Sequence, residues 1–359
     1  MDGIDLAVVQ TDGRGYLKRD FVPAGLDYDD ELRNRLERAL RDAKQVTSPE
    51  QRPGSLSEAE LELTEIHAGL VNMYLEDFED KLPPIDLIGF HGQTVLHRPD
   101  EGLTVQIGDG ELLADLTGIP VVCDMRSNDM DHGGQGAPLA PAYHCALAEN
   151  LPKEFKDQSP VMFINIGGIS NVTFVGDEPI AFDSGPGNTL MDQWMQRHFD
   201  RPFDEDGQTA RLGNVIEEIV DRFMSKPFFQ LAPPKSLDRF DFQLEDFEEC
   251  KPEDVLRSLV RVTSQSIIAA SNHLPEVPKL WVLPGGGCQN LCLLEDITSG
   301  AAAIGGQVVT ADEVGFSSQT MEAEAWAYLA VRSVDGLPLT FPGTTGCKEP
   351  VTGGKLVKD

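Results

Sequence analysis

Two periodicities take turns along the chain, one suited to short strands and one to helices. Ile4 to Gln10 is apolar and β-prone, Asp12-Gly13 marks a turn, and Tyr16 to Val22 resumes an extended pattern, which together predict an early hairpin. Leu32 to Ala43 and Glu58 to Lys81 read as helices separated by a loop rich in turn formers. Ser57 and Glu60 have the spacing of a capping box, and Leu63, Ile66, Leu70, Met73 and Tyr74 form an apolar stripe expected to face a core. Ile85 to Phe90, Pro120 to Cys123, Val161 to Ile166, Ile180 to Phe182 and Leu280 to Leu283 are short apolar runs with the look of buried strands. They run out into Gly, Asp or His, the placement expected where strand carboxyl ends supply a site in an open α/β sheet. Helices are expected at Leu190 to His198, Asn214 to Met224, Glu253 to His273 and Gln319 to Val334. Strands alternating with helices after an early hairpin indicate mixed-sheet α/β domains. The chain shows no fixed-period repeat.

Composition narrows the function. At 359 residues the chain has room for two domains. Sixty acidic against 29 basic residues give a formal net charge of −31, which argues against nucleic acid and anionic membrane as partners. The six cysteines, Cys123, Cys145, Cys250, Cys288, Cys292 and Cys347, lack zinc-like spacing and read as reduced thiols of a cytoplasmic protein. Neither a leader-like start nor an apolar stretch of membrane-spanning length is visible.

Three glycine clusters follow strands: Gly167-Gly168-Ile169-Ser170-Asn171, Asp183-Ser184-Gly185-Pro186-Gly187-Asn188, and Gly285-Gly286-Gly287-Cys288-Gln289-Asn290. Glycine lets main-chain amides approach a phosphate, and a following helix start adds partial positive charge. None of the three is a Walker A or dinucleotide-binding motif. Asp183, at the end of its apolar run, suits a base that takes a proton from water or a hydroxyl, although an Asp there also organises turns. Asn188 reads as a helix cap with the option of a ligand contact. His91-Gly92-Gln93-Thr94 and the stretch from Asp124 through Arg126 to Gln135 and Pro138 mix donors and acceptors, as sugar hydroxyls require. For Arg126, pairing with a substrate carboxylate and an internal salt bridge are both open. His97 and His132 read as surface or structural residues.

Taken in order, GFHGQTVLHRP (89–99), QIGDGELLADLTGIPVVCDMR (106–126), GGQGAPLAPAYH (133–144), INIGGISN (164–171), FDSGPGN with LMD (182–192), PPKSLDR (233–239) and LPGGGCQN (283–290) resemble the anhydro-N-acetylmuramic acid kinase family over most of the chain. The resemblance implies two actin-like, ribonuclease H-like α/β domains with mixed sheets flanked by helices and a central cleft. Residues 1–125 with 344–359 would form the first domain and 126–343 the second. It further implies that ATP with Mg2+ phosphorylates O6 of an anhydro sugar as water opens the 1,6-anhydro ring, with Asp183 as the base. Gly167, Gly168 and Asn171 match the second phosphate loop, joined at the nucleotide by Gly185, Gly187 and Asn188. Gly285, Gly286, Gly287 and Asn290 match the adenosine loop. His91, Gln93, Arg126 and Gln135 fall in segments similar to those that contact the sugar, and Glu322 in a late acidic helix, where a substrate contact and plain surface charge are both open. The expected partners are thus a small sugar and ATP, with a homodimer as the expected assembly.

In the family a strand and a glycine, threonine and serine loop precede the Asp-Gly that matches Asp2-Gly3, so Asp2 and Gly3 are expected at the nucleotide, with that first loop incomplete in the sequence at hand. Two other readings remain open on the residues alone. One is a kinase for another 1,6-anhydro sugar such as levoglucosan, to be distinguished by whether a pocket near Arg126 and Gln135 seats a lactyl carboxylate. The other is a non-catalytic, nucleotide-binding actin-like protein, to be distinguished by turnover.

Overall fold

The computed structural model describes residues 3–237, 241–245, 247, 249–284 and 290–358. The chain folds into two compact units, Met1–Ala146 with Thr320–Asp359, and Leu147–Gln319. The boundaries expected from the sequence lie at 125/126 and 343/344.

The first unit begins with strands β1 (Gly3–Leu6), β2 (Gln10–Thr11), β3 (Leu17–Lys18) and β4 (Ala24–Asp27). The predicted hairpin shrinks to the two-residue ladder β2–β3, closed by the Asp12 carboxylate, which accepts the Arg14 and Tyr16 amides at 2.9 and 3.0 Å. β1 instead pairs antiparallel with β4, Gly3 opposite Asp27 and Leu6 opposite Ala24. Apolar burial selects that partner: Ile4 and Tyr28 enter one core with Leu32, Leu36, Ala39 and Ala43 of helix α1 (Asp30–Ala43). Asp29 caps α1 by accepting the Leu32 amide at 2.8 Å.

Helix α2 (Leu56–Asp77) starts one residue before Ser57, so the expected capping box is absent. Glu60 pairs with Arg52 at 2.9 Å and accepts the Gly108 amide at 3.1 Å. Of the predicted stripe Leu63, Leu70 and Tyr74 are buried, whereas Met73 is 53% exposed, because the buried face has drifted around the helix by that turn.

Then come β5 (Ile88–Gly89), the hairpin β6 (Gln93–Arg98) and β7 (Leu103–Ile107), α3 (Gly110–Thr117), β8 (Val121–Cys123), α4 (Ser127–Asp131) and α5 (Pro141–Glu149). The second unit contributes β9 (Val161–Ile166), β10 (Ile169–Val175), β11 (Ile180–Pro186), α6 (Thr189–Phe199), α7 (Glu217–Met224), α8 (Pro252–Ala270), β12 (Leu280–Leu283), α9 (Leu291–Ala303) and β13 (Gln307–Thr310). The chain then returns to the first unit as α10 (Met321–Val334), α11 (Pro342–Thr345) and β14 (Lys355–Val357). In that unit β5, β8 and β14 form one sheet, and α10 packs on β5 and β8. At Gly89 a side chain has no room, since a Cβ would stand 2.1 Å from the Trp326 carbonyl oxygen.

The sheet of the second unit has the order β11-β10-β9-β12-β13, with β10 antiparallel to its neighbours and β9, β12 and β13 parallel. Counted within the unit this is 3-2-1-4-5, the mixed sheet of a ribonuclease H-like domain. One face carries Met162, Ile164, Ile166, Val172 and Phe182 into a core with Val255, Leu259, Val262 and Ile267 of α8. Trp194 and Trp281 lie fully inside, and each indole N–H reaches a carbonyl at 2.8 Å, Pro252 and Pro278 respectively.

Candidate active site

In the second unit, Asn165, Asn171 and Asp183 form a row across three adjacent strands, with Asn171 opposite Asn165 on one side and Asp183 on the other. A β-bulge at Ser170/Asn171 sets this row, because Ser170 pairs with Gly185 and Ser184 becomes the extra residue. The bulge is stitched by buried hydroxyls: Ser170 Oγ and Ser184 Oγ stand 2.7 Å apart, and Ser184 Oγ donates to the Ser170 carbonyl at 3.1 Å. Asp183 Oδ2 accepts the Leu237 amide at 2.7 Å, and the Asp183 amide donates to the Lys235 carbonyl at 3.0 Å. Among the described residues no donor engages Oδ1. Burial pushes the carboxyl up to about 6, against the Leu237 bond, which pulls it down. Asp192, one turn into α6, is likewise raised by burial to about 6.

The first two glycine clusters interlock. The amides of Gly187 and Asn188 donate to the Gly168 and Gly167 carbonyls at 2.9 and 2.8 Å, and the Asn188 side-chain amide donates to the Ile166 carbonyl at 3.1 Å. Asn188 therefore stands at the start of α6 without capping it through its side chain, contrary to the sequence expectation, because that side chain is already bound to Ile166. Gly187 is demanded by proximity: a Cβ there would lie 2.3 Å from the Gly167 carbonyl oxygen. Gly185 packs against Ser266 of α8. The amides of Gly167 and Gly168 have no acceptor among the described residues, so they can donate to an anion beside the start of α6. Asn290 caps α9, its side-chain oxygen accepting the Leu293 amide at 3.1 Å. Gly285, Gly286 and Gly287, like Asp2, lie outside the described residues.

In the first unit, His91, Gln93 and Glu322 line a cavity of about 460 Å³ that Gly3 and Trp326 also border. Arg126, at the start of α4, donates from Nε and Nη2 to His91 Nε2 at 3.2 and 2.8 Å and from Nη1 to the Gly136 carbonyl at 2.7 Å. His91 Nδ1 donates to the Gly92 carbonyl at 2.9 Å, which leaves Nε2 as the acceptor. Burial, reinforced by Arg126, pushes His91 down to about 4, so its imidazole is neutral. Burial lowers Arg126 to about 10, against the nearby Glu322 carboxylate. The His91 ring stacks on Trp326 with centroids 4.2 Å apart, and the Arg126 guanidinium lies 5.7 Å from the same ring.

Gln135 is held by its backbone, whose amide donates to the Thr345 carbonyl at 2.8 Å, and its side chain has no hydrogen-bond partner among the described residues. Buried Asp129 shapes the same loop by accepting the Gly136 amide at 2.6 Å and the Thr345 hydroxyl at 2.7 Å. Within the MEAEAW segment the two carboxylates differ. Glu324 is buried and accepts the Tyr143 hydroxyl at 2.6 Å, whereas Glu322 is exposed at the cavity. Among the described residues His97 and His132 bond locally, to the Thr104 hydroxyl at 3.0 Å and the Asn128 carbonyl at 2.8 Å.

A family model described as anhydro-N-acetylmuramic acid kinase matches residues 1–359. The chain belongs to this family. It is similar to the anhydro-N-acetylmuramic acid kinase of Agrobacterium fabrum, 52% identical over 361 residues, which cover 100% of this chain and 96% of that one. It is also similar to the enzyme of that name from Rhizobium johnstonii, 51% identical, with 99% and 95% covered. Among solved structures, a ROK family glucokinase from Streptomyces griseus in complex with glucose and AMPPNP is similar at a TM-score of 0.40 and 13% identity, over 92% of this chain and 96% of that one. Members of the anhydro-N-acetylmuramic acid kinase family are phosphotransferases with an alcohol acceptor, and relatives at this identity favour neither of the alternative readings.

For an anhydro-N-acetylmuramic acid kinase, sequence reasoning missed four site neighbours. Asn165 stands in line with Asp183, its side chain without a partner among the described residues, and only the polar residue inside an apolar strand signals it. Trp326 is four residues after Glu322, one helical turn along the same face. Lys235 and Leu237 touch Asp183 through their backbones, which no residue pattern reveals.

Proposed function

We propose that this chain uses ATP to convert 1,6-anhydro-N-acetylmuramic acid into N-acetylmuramic acid 6-phosphate, with Asp183 as the base. Water adds its oxygen to C1 of the sugar and gives a proton to Asp183. The C1–O6 bond breaks, O6 takes the γ-phosphoryl group, and ADP leaves. The observation that carries this reading is the state of Asp183: Oδ2 is anchored on the Leu237 amide, Oδ1 has no donor among the described residues, and burial raises the carboxyl to about 6. Such a group is ionised at neutral pH yet basic enough to accept a proton in the transition state.

The Gly167 and Gly168 amides suit the phosphates, and Asn171, beside Asp183, suits the same ligand. Gly187 and Asn188 hold the Gly167 and Gly168 carbonyls in place, and Gly185 lets β11 approach Ser266 of α8. Asn290, with Gly285 to Gly287, would hold the adenosine, and Asp2 and Gly3 would border the nucleotide. Mg2+ bound to the ATP phosphates would neutralise their charge, and positioning by the residues named above would supply most of the rest. In the first unit, His91, Gln93, Arg126, Gln135 and Glu322 would recognise the sugar. The N–H of neutral His91 is taken by the Gly92 carbonyl, so its part is to orient Arg126, whose N–H groups beyond those given to His91 and Gly136 suit a lactyl carboxylate.

A reaction that spends ATP belongs in the cytoplasm, and among the described residues no helix is long and apolar enough to cross a membrane. A homodimer is the proposed assembly, which light scattering would test. For the chemistry, oxygen from labelled water should appear on C1 of the product and not in phosphate, and Asp183→Asn should abolish turnover while ATP still binds. Label in phosphate alone, or a fully active Asp183→Asn enzyme, would overturn the assignment.

A further inference from the structure

Lys235 is a lysine only 8% exposed, in a wall of aromatic rings. Its Nζ donates to the Phe228 carbonyl at 3.2 Å and lies 3.3 Å from His273 Nε2. It also stands 4.6 Å from the centre of the Phe228 ring and 5.5 Å from that of Phe182, the residue before the base. His273 completes the wall, its ring edge-on to Phe182 at 6.0 Å and Nε2 3.0 Å from the Phe229 carbonyl oxygen. Burying an ammonium costs free energy that an apolar side chain of similar length avoids, so packing alone gives no reason for a lysine here.

The backbone of the same segment supplies a reason. The Lys235 carbonyl takes the Asp183 amide at 3.0 Å, and two residues on the Leu237 amide holds Asp183 Oδ2 at 2.7 Å. Residues 235–237 thus grip Asp183 from both its main chain and its side chain; Leu237 packs its side chain on the apolar core, and Lys235 supplies the segment's polar side-chain tether. We propose that Lys235 is a positioning residue for the base: tethered among Phe228, Phe182 and His273, it holds the segment whose Leu237 amide pins one carboxylate oxygen and leaves the other available to water. The proposal rests on the reading of Asp183 as base. Among the described residues the titratable side chains packed around the grip are Lys235 and His273. Burial and the Leu237 amide are the influences that move Asp183, in opposite directions.

The test is the pH profile of kcat/KM for sugar phosphorylation in wild type, Lys235→Met, Lys235→Arg and Leu237→Pro. Leu237→Pro deletes the amide hydrogen and defines the effect of losing the grip. Because that bond lowers the Asp183 pKa, its loss should move the acid limb upward from about 6, by on the order of one pH unit. Lys235→Met should reproduce the upward shift, and Lys235→Arg should return the limb toward its wild-type position. If Lys235→Met does not purify as a folded protein, Lys235→Gln takes its place. A limb that stays at the wild-type pH in the lysine variants, whatever the loss of rate, makes Lys235 merely structural and overturns the proposal. A wild-type profile with no limb near pH 6, or an active Asp183→Asn enzyme, overturns the base assignment itself and is distinguishable from the first failure.

Discussion

Replacing Asp183 by Asn should remove activity and, at alkaline pH, add stability. In the folded chain burial keeps this carboxyl protonated up to about 6, whereas in the unfolded chain it ionises near 3.8. The folded pKa is the higher one, so the favourable contribution of this group is complete below about 3.8 and is lost as pH rises through 6. Above that range the native protein carries a partly buried carboxylate, held by one amide, at a cost on the order of 1–3 kcal/mol. Asparagine fills the same volume without the charge. Asp183→Asn should therefore exceed the wild type in unfolding free energy by on the order of 1–3 kcal/mol at pH 8, and the difference should close toward zero near pH 4. Urea titrations of both proteins, followed by fluorescence of Trp194 and Trp281, would measure it. Every other titrating group, Asp192 included, is common to the two proteins and cancels in the comparison. A destabilised Asn variant at pH 8, or a difference that does not change with pH, would refute the reasoning.

Two further outcomes follow from the same geometry. Arg126→Met takes away the guanidinium that donates to His91 Nε2, so the imidazole should titrate above about 4, toward its ordinary value, in a proton NMR titration; an unmoved resonance would contradict the pairing. Gly187→Ala places a Cβ within 2.3 Å of the Gly167 carbonyl oxygen, which must prise the two glycine turns apart, and ATP affinity measured by calorimetry should fall by about tenfold or more; unchanged affinity would separate this turn from the nucleotide.

The parts of this protein written in its sequence are those that depend on neighbours along the chain. Val161–Ile166 and Leu280–Leu283 are strands, as predicted, because a continuous apolar run bounded by turn residues carries its own signal. The first two glycine clusters and Asp183 stand out along the chain for the same reason, the glycines of the third lying outside the described residues, and the ordered blocks that carry them are what the family match extends over the whole chain. Helix α2 was found but its start was misjudged, since Ser57 and Glu60 satisfy a local spacing while Arg52 and Gly108 compete for the glutamate. Tertiary structure decided whatever requires two distant segments to meet. It chose β4 as the partner of β1, used Ser170 and Ser184 to stitch the bulge that aligns Asn171 with Asp183, and stacked His91 on Trp326. It also brought Lys235 and Leu237 to Asp183, and from that contact, together with burial, the carboxyl acquires a pKa matched to its proposed work. The sequence by itself determined that an aspartate follows an apolar run beside glycine-rich segments, though not that the strand continues through it to Pro186, where pairing with Ile169 and Ser170 extends the ladder. Only folding determined how basic that aspartate is, because desolvation and a long-range amide are properties of the space around a residue and not of its neighbours in the chain.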